Sequence, residues 1–241
     1  MDAGGAASRL AAVRERIRLA ARDAGRAPDA VTLVGITKTR SVEAAREIVD
    51  LGVHNLGENR VAELVAKREQ LPDVTWHLVG QLQRNKVRDV VDGNVLIHSL
   101  DRPRLADAIQ ARASQRHLVQ PVLVQVNVGA DPAKGGCGVP ETEQLVAYAQ
   151  GLPNVEVRGL MTVPPLPSPG QDPVTVARAH FATLRGLRDE IVSTDPTVRE
   201  LSMGMSADLE AAVAEGATMV RIGTDLFGPR PDPMHDLEEW R

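Results

Sequence analysis

The feature of the sequence that most constrains its fold is an alternation of short apolar segments with amphipathic ones. Eight of the segments are rich in Val, Leu and Ile and span four to eight residues, as buried parallel strands do. The predicted strands are Val31–Thr37, Val53–Leu56, Thr75–Val79, Val95–His98, Pro121–Val128 (the longest), Val155–Leu160, Glu200–Met203 and Met219–Ile222.

Amphipathic segments between these strands predict helices. The first of these helices starts at Ser41, a good N-cap. The others cover 60–69, 81–91, 101–114, 141–150, 174–192 and 207–215. Eight strands that alternate with helices predict an α/β protein, a single (β/α)8 TIM barrel. The alternative is a doubly wound open sheet, but such sheets usually have fewer strands, and no GxGxxG motif follows the first strand.

The chain shows no linker, so residues 1–241 are predicted to form one domain, with an extra N-terminal helix in 1–27 and a peripheral tail at 229–241. The N-terminus lacks the apolar stretch of a signal peptide, and no apolar run approaches the roughly 18–20 residues of a membrane span. A single cysteine suits a reducing compartment, so we expect a cytoplasmic protein. Net charge −4 and 2% aromatic residues argue against nucleic acid as a main partner.

Lys38 follows the first predicted strand directly, where the carboxyl ends of barrel strands meet and form the functional site. A desolvated ammonium is costly, so one interpretation is an amine of lowered pKa that forms a Schiff base with an aldehyde. The other is a lysine whose charged end has reached solvent. Only four of the 28 basic residues are lysines, which favours a role for the amine itself, since a guanidinium is not a nucleophile.

The segments after strands 7 and 8 suggest a phosphate site, which barrels often form there. Ser206 in SMGMS precedes a helix and is predicted to cap it, beside free N–H groups, while Gly223 and Thr224 offer a tight turn and a hydroxyl. The alternatives are that Ser206 only caps its helix and that Gly223 only forms a turn. Arg221 lies in an otherwise apolar strand, where an unpaired guanidinium is costly. An amine, a phosphate cradle and an arginine are what pyridoxal 5′-phosphate (PLP) would need.

These residues lie in segments such as LVGITKTR, LGENRVAELVAK, WHLVGQLQRNK, QVNVGADPAKGGCGV, SMGMSADLEAA and VRIGTDLFG, between residues 33 and 230. In these segments the chain closely resembles the pyridoxal phosphate homeostasis protein family, single-domain relatives of the alanine racemase barrel. The resemblance implies a fold-type III PLP barrel. The cofactor-binding residues that it implies are Lys38, Asn59, Met203, Ser206, Arg221, Gly223 and Thr224.

The resemblance also implies a role for each of these residues. Lys38 would carry PLP as an internal aldimine, Arg221 would face the pyridine nitrogen, and Ser206, Gly223 and Thr224 would hold the phosphate. Asn59 would lie near the ring hydroxyl and Met203 beside the cofactor. The chain departs from the family pattern on the rim of the barrel, at Arg60, Ala62 and Gln81.

The predicted function is PLP binding and intracellular vitamin B6 homeostasis, by a monomer that buffers PLP or delivers it to apo PLP-enzymes. No catalytic residue is predicted. Racemases pair the cofactor lysine with a tyrosine from a β-rich second domain, which we expect to be absent, and the only tyrosine, Tyr148, falls on a predicted outer helix. The alternative is a weak PLP-dependent racemase or related enzyme, with His77 or Ser202 as proton carriers. A cofactor-free aldolase would leave Arg221 unexplained.

Other polar residues show weaker patterns. His54, His117 and His180 lack the spacing of metal ligands, so no metal site is predicted. Lys86 and Lys134 are either secondary sites where the cofactor docks or solvated lysines. The Pro-rich segment 163–173 is an ordered loop over one side of the barrel mouth or a flexible one.

Overall fold

The computed structural model describes residues 5–229. The eight strands are parallel and pair in chain order, and β1 pairs with β8, so the sheet closes into a barrel. The (β/α)8 prediction is therefore confirmed. The strands are β1 (Thr32–Ile36), β2 (Asn55–Glu58), β3 (Thr75–Leu78), β4 (Val95–Leu100), β5 (Gln120–Gln125), β6 (Val155–Met161), β7 (Glu200–Ser202) and β8 (Met219–Ile222).

The helices surround this barrel, and the predicted extra helix α1 precedes β1. Ser41 caps α2 as predicted, since its hydroxyl accepts the N–H of Ala44. Asp172 caps α7 in the same way through the N–H of Thr175. The helices are α1 (Ala6–Asp23), α2 (Val42–Asp50), α3 (Val61–Gln70), α4 (Val87–Val90), α5 (Pro103–Gln115), α6 (Thr142–Gln150), α7 (Pro173–Val192), α8 (Leu209–Ala214) and α9 (Thr224–Phe227).

The second strand lies two residues further along the chain than predicted. Val53 lies in the C-terminal cap that follows α2. Its N–H donates to Ile48 O, and Gly52 has a positive φ of 84°. This is the pattern of a glycine-terminated helix, in which the residue after the glycine closes the last turn. The ladder with β3 therefore begins at Asn55.

Two further predictions of element length were wrong. The segment after β3 was predicted as one helix, but a 3-10 turn at Arg84–Lys86 precedes the single-turn helix α4. Asn85, at the centre of that turn, is a poor helix former. The longest strand is β6, with seven residues, and not β5, which ends at Gln125. The tail predicted at 229–241 lies outside the described residues from position 230 on.

The interior of the barrel is partly polar. Leu96, Leu123 and Met161 form a small apolar cluster there, separate from the large core between strands and helices. Val34 pairs with Arg221 in the β1–β8 ladder, which places the carboxyl end of β1 beside that of β8. Within the described part of the chain, no helix has both the length and the apolar character needed to cross a membrane.

Candidate functional site

A cavity of about 370 Å³ opens where the carboxyl ends of β1, β2 and β8 meet. Six of the predicted site residues line it, together with five others. The lining residues are Ile36, Lys38, Asn59, Val79, Val163, Met205, Ser206, Ala207, Arg221, Gly223 and Thr224. Met203 is fully buried in the large core and is not among them. The structure therefore brings together the predicted amine, arginine and phosphate residues, and the role of Met203 stays a prediction.

The backbone is held on both sides of Lys38. The N–H of Thr37 donates to Gly57 O at 3.0 Å, and Thr37 O accepts a hydrogen bond from Lys67 Nζ at 2.7 Å. On the other side Thr39 has a positive φ of 61°, which is unusual for a β-branched residue, and its N–H donates to Glu63 Oε2 at 3.1 Å. Helix α3 thus fixes the segment that carries the candidate amine.

A buried ion pair supports this segment from behind. Lys67 Nζ lies 2.6 Å from Glu58 Oε1, and both side chains are fully buried between the sheet and α3. The Thr37 hydroxyl donates to the same carboxylate oxygen at 2.5 Å. Burial raises the pKa of Glu58, and the charge and hydrogen bond of Lys67 oppose that rise. The second oxygen, Oε2, has no hydrogen-bond partner in residues 5–229. The pair depends on close geometry, because breaking either half leaves a buried charge.

Arg221 brings a positive charge to the wall of the cavity. Its Nη1 donates to Ser202 Oγ at 2.7 Å and its Nη2 to Thr162 O at 2.9 Å. Burial lowers the pKa of Arg221 to about 10, against the opposing charge of Asp208, so the guanidinium remains protonated at neutral pH. Neither hydrogen-bond acceptor carries a charge. The site therefore favours a ligand with an anionic or lone-pair acceptor at this position.

A chain of buried side chains extends from Arg221 across the barrel. His98 Nδ1 lies 2.9 Å from Ser202 Oγ, His98 Nε2 lies 2.9 Å from His77 Nδ1, and His77 Nε2 lies 3.0 Å from Asn55 Oδ1. Burial lowers the pKa of His77 to about 4. Burial also lowers the pKa of His98 well below its ordinary value, and the proximity of His77 and of the Arg221 charge disfavours a second proton there. Both imidazoles are therefore neutral at pH 7.

The loop after β7 differs from the prediction in one respect. Ser206 does not cap α8, which begins at Leu209, and the cap position is taken by Asp208. Asp208 Oδ1 accepts the N–H of Met205 at 2.6 Å, which is a contact within the loop, and Asp208 makes no side-chain hydrogen bond to the helix that it precedes. The N–H groups of Ser206 and Ala207 have no acceptor among the described residues. The cap prediction is wrong, but the loop still presents backbone donors.

The loop after β8 leads into a short helix that the sequence analysis missed. Gly223 is the residue before α9, and its carbonyl accepts the N–H groups of Leu226 and Phe227. Thr224 is the first residue of the helix, where backbone N–H groups lack partners within the helix. Gly223 and Thr224 both line the cavity, as Ser206 does. The two loops together have the donors that an anion such as phosphate binds.

The other predicted residues lie away from the cavity wall. Tyr148 is exposed on α6 and donates its hydroxyl to Asp107 at 2.6 Å. Lys134 Nζ donates to Pro164 O and, at 3.5 Å, to Val163 O, so it anchors the Pro-rich loop. Lys86 is exposed in its 3-10 turn.

Rim residues and candidate metal ligands also lie outside the cavity. Neither Arg60 nor Gln81 lines it. His54 and His117 are exposed. Among residues 5–229 no group of His, Cys, Asp and Glu side chains has an arrangement that could hold a metal ion. Burial raises the pKa of the Cys137 thiol.

Comparison with known proteins gives the chain a family. A model of the alanine racemase N-terminal domain matches residues 8–231. The pyridoxal phosphate homeostasis protein of Aquifex aeolicus (strain VF5) is 47% identical over 228 residues, which cover 93% of this chain and 98% of that protein. The chain belongs to the pyridoxal phosphate homeostasis protein family. The resemblance found in the sequence motifs is confirmed.

Solved structures agree with this family assignment. PipY of Synechococcus elongatus PCC7942, solved with PLP bound, is 35% identical with a TM-score of 0.79, and the match covers 93% of this chain and 100% of PipY. Alanine racemase of Clostridium difficile 630 has a TM-score of 0.72 at 16% identity, over 91% of this chain and 58% of the racemase. At that identity the racemase supports only the shared barrel fold.

The residues behind the site were not predicted from the sequence. Glu58 and Lys67 were placed in a motif without a role, although Lys67 is three residues after the buried Leu64 on the same helix face. A lysine at a core position of a helix is a signal for a buried partner. Arg16 of α1, which contacts the loops after β7 and β8, had no comparable signal, because its partners there are 190 and 209 residues away.

Proposed function

We propose that this protein binds PLP covalently through Lys38 and acts in PLP homeostasis by holding and releasing the cofactor. The observation that carries the proposal is the joint presence of Lys38, Arg221 and the Ser206 and Thr224 loops around one cavity. The structure of PipY with PLP bound, a relative of 35% identity, supports the same ligand. The family name of the Aquifex relative supports homeostasis as the role.

The residues of the cavity fit the functional groups of PLP. PLP supplies an aldehyde, an electron-poor pyridine ring and a phosphate when it is bound. Lys38 provides the amine for the aldehyde, and Thr37 and Thr39 fix its backbone on either side. The loops of Ser206 and Thr224 provide N–H and hydroxyl donors for the phosphate. Asn59, which lines the same cavity as Lys38, provides an amide for the ring hydroxyl.

Arg221 favours holding the cofactor over catalysis. A guanidinium that remains protonated can donate a hydrogen bond to the pyridine nitrogen but does not transfer its proton to it. An unprotonated pyridine is a weaker electron sink than a pyridinium. Ser202 binds the guanidinium on the side of the hydrogen-bond chain, which fixes the orientation of Arg221. This arrangement suits a protein that retains PLP without labilising bonds of a bound amine.

We therefore propose that the protein has no robust catalytic turnover. His77 and Ser202, the proton carriers of the racemase alternative, are buried and hydrogen-bonded within the chain behind Arg221, and neither lines the cavity. The exposed Tyr148 is likewise engaged with Asp107. The racemase match supports the fold alone, so no specific observation favours the alternative function.

We further propose that apo PLP-enzymes receive the cofactor and that the protein acts as a monomer in the cytoplasm. The open cavity at the barrel mouth allows PLP to leave without unfolding of the barrel. A single cysteine in 241 residues suits a reducing compartment. Equilibrium sedimentation with and without PLP tests the monomer, and transfer to an apo-aminotransferase, followed by its regained activity, tests delivery.

The test of covalent binding is absorbance and mass spectrometry of the purified protein after incubation with PLP. Wild type is expected to show a near-visible PLP band, and borohydride should fix one PLP mass on the peptide that contains Lys38. Lys38→Ala should lose both signals, whereas Lys86→Ala, which changes an exposed lysine, should keep them. A wild-type protein without the band, or with the mass on another lysine, contradicts the proposal. Racemisation or loss of an amino acid at steady state would support the enzyme alternative.

A further inference from the structure

Arg16 of the N-terminal helix contacts both loops of the phosphate site from outside the barrel. Its Nη2 donates to Ser206 O at 2.9 Å and its Nη1 to Asp225 Oδ2 at 2.5 Å. Its Nε and Nη2 also bind the two carboxylate oxygens of Glu210 at 2.7 and 2.9 Å. A single guanidinium thus joins α1 to the loop after β7, to α8 and to α9.

The contact with Ser206 O orients a peptide group of the cavity wall. Ser206 O and the N–H of Ala207 belong to one peptide unit, and in a trans peptide the two bonds point in opposite directions. No described peptide bond is cis. Arg16 holds the carbonyl on the outer side, so the Ala207 N–H points away from Arg16. This N–H has no acceptor among residues 5–229, and Ala207 lines the cavity.

The contact with Asp225 acts on the second loop and on its charge. Asp225 follows Thr224 in the first turn of α9. A carboxylate there would repel an anion bound at the helix N-terminus, and Glu210 adds a second negative charge nearby. Arg16 pairs with both carboxylates, although the pairs are partly exposed and therefore screened by water. The guanidinium thus offsets charges that oppose phosphate binding.

We propose that Arg16 is a positioning residue for the phosphate group of the ligand, an inference that rests on the proposed PLP function. It sets the orientation of the 206–207 peptide, holds the Ser206 and Thr224 loops at a fixed distance and neutralises Asp225. It does not touch the ligand. The N-terminal helix, which is not part of the eightfold repeat, thereby becomes part of the binding site.

The test compares the affinity of apo-protein for PLP and for pyridoxal, which lacks the phosphate. Arg16→Ala is expected to weaken PLP binding about tenfold and to leave pyridoxal binding unchanged. Inorganic phosphate should also compete less well against PLP in this variant. The control is Arg18→Ala on the same helix. Within residues 5–229, Arg18 forms a salt bridge only with Glu15, which lies on the same helix. It should leave both affinities unchanged.

Equal losses for PLP and pyridoxal, or no loss for either, would overturn the inference. If Arg16→Ala does not fold, Arg16→Lys serves instead, because an ammonium keeps the charge but cannot reproduce the planar set of donors. Hydrogen exchange of peptides covering 203–209 and 223–228, measured without ligand, should be faster in either Arg16 variant than in wild type and Arg18→Ala. This readout is independent of PLP. A wild-type protein that binds no PLP refutes the proposed function, whereas unaltered exchange refutes only the role of Arg16.

Discussion

The Ser202 hydroxyl donates its hydrogen bond to His98 Nδ1, across 2.9 Å inside the barrel. Ser202 and His98 belong to a chain of hydrogen bonds that ends at Asn55. Asn55 sets the direction of this chain, because its Oδ1 only accepts and so receives the Nε2–H of His77. The neutral His77 then accepts at Nδ1 from His98 Nε2–H, which leaves His98 Nδ1 as an acceptor. At the near end Arg221 only donates, and Ser202 accepts from it. Both ends therefore require the same direction and neutral imidazoles.

Removal of the Ser202 hydroxyl is expected to destabilise the protein. In Ser202→Ala the Arg221 guanidinium loses an acceptor and His98 Nδ1 loses a donor, both in a buried site. We expect a loss of about 1–3 kcal/mol in the free energy of unfolding, measured by urea denaturation at pH 7. The control is Ser99→Ala. The Ser99 hydroxyl is buried without a partner in residues 5–229, so its removal should be neutral or slightly stabilising. Equal effects of the two substitutions would contradict the role of Ser202 in this chain of hydrogen bonds.

Acid should destabilise the protein through the same histidines. The pKa of His77 is about 4 when folded against 6.5 as an ordinary imidazole, so between these values the unfolded chain binds more protons. The stability from this group is present above pH 6.5 and is lost as the pH falls towards 4, by roughly 3 kcal/mol. His98 acts in the same direction.

The measurement for this pH effect is the unfolding free energy between pH 4 and 7. The slope of the unfolding free energy against pH reports the number of protons that the protein takes up on unfolding. His77→Gln should lower this number by about one, because it removes one titrating group. Ser99→Ala, which removes no titrating group, should leave the slope as in wild type. A His77→Gln curve parallel to that of wild type would show that the imidazole is not held neutral by the fold.

The ion pair behind Lys38 should be sensitive to loss of one partner. Lys67→Met leaves the Glu58 carboxylate buried without its positive charge and removes one of the two donors to Thr37 O, the other being the N–H of Arg40. We expect a loss of about 3–5 kcal/mol in the free energy of unfolding. The double variant Glu58→Gln with Lys67→Met should recover most of this loss, since no charge remains buried. The idea fails if the single and the double variant are equally stable.

Gly204 is expected to tolerate no side chain. Its φ is +94°, and a Cβ there would lie 2.5 Å from Ala212 Cβ. Gly204→Ala should therefore cost about 2–4 kcal/mol of stability in thermal or urea unfolding. Gly186→Ala, on the exposed face of α7 with no atom within 4 Å of the new Cβ, should instead stabilise by about 0.5–1 kcal/mol. A stable Gly204→Ala would show that the β7–α8 loop can shift.

The sequence by itself determined the barrel and the location of the site. Buried parallel strands have a continuous apolar composition, so eight of them are visible without tertiary information. The carboxyl ends of parallel strands meet at one mouth, and Lys38, Arg221, Gly223 and Thr224 therefore came together as predicted. These features depend on local pattern and on the topology that the pattern requires.

Only the tertiary structure decided how the site is supported. Ser202 and His98 are separated by 104 positions and meet because their side chains face the barrel interior, which depends on strand register. The register between β4 and β5 shifts between Ile97 and Leu100. The contact of Arg16 with Ser206 O depends on how α1 packs. Such contacts join residues that are far apart in sequence, and they leave no periodic signal along the chain.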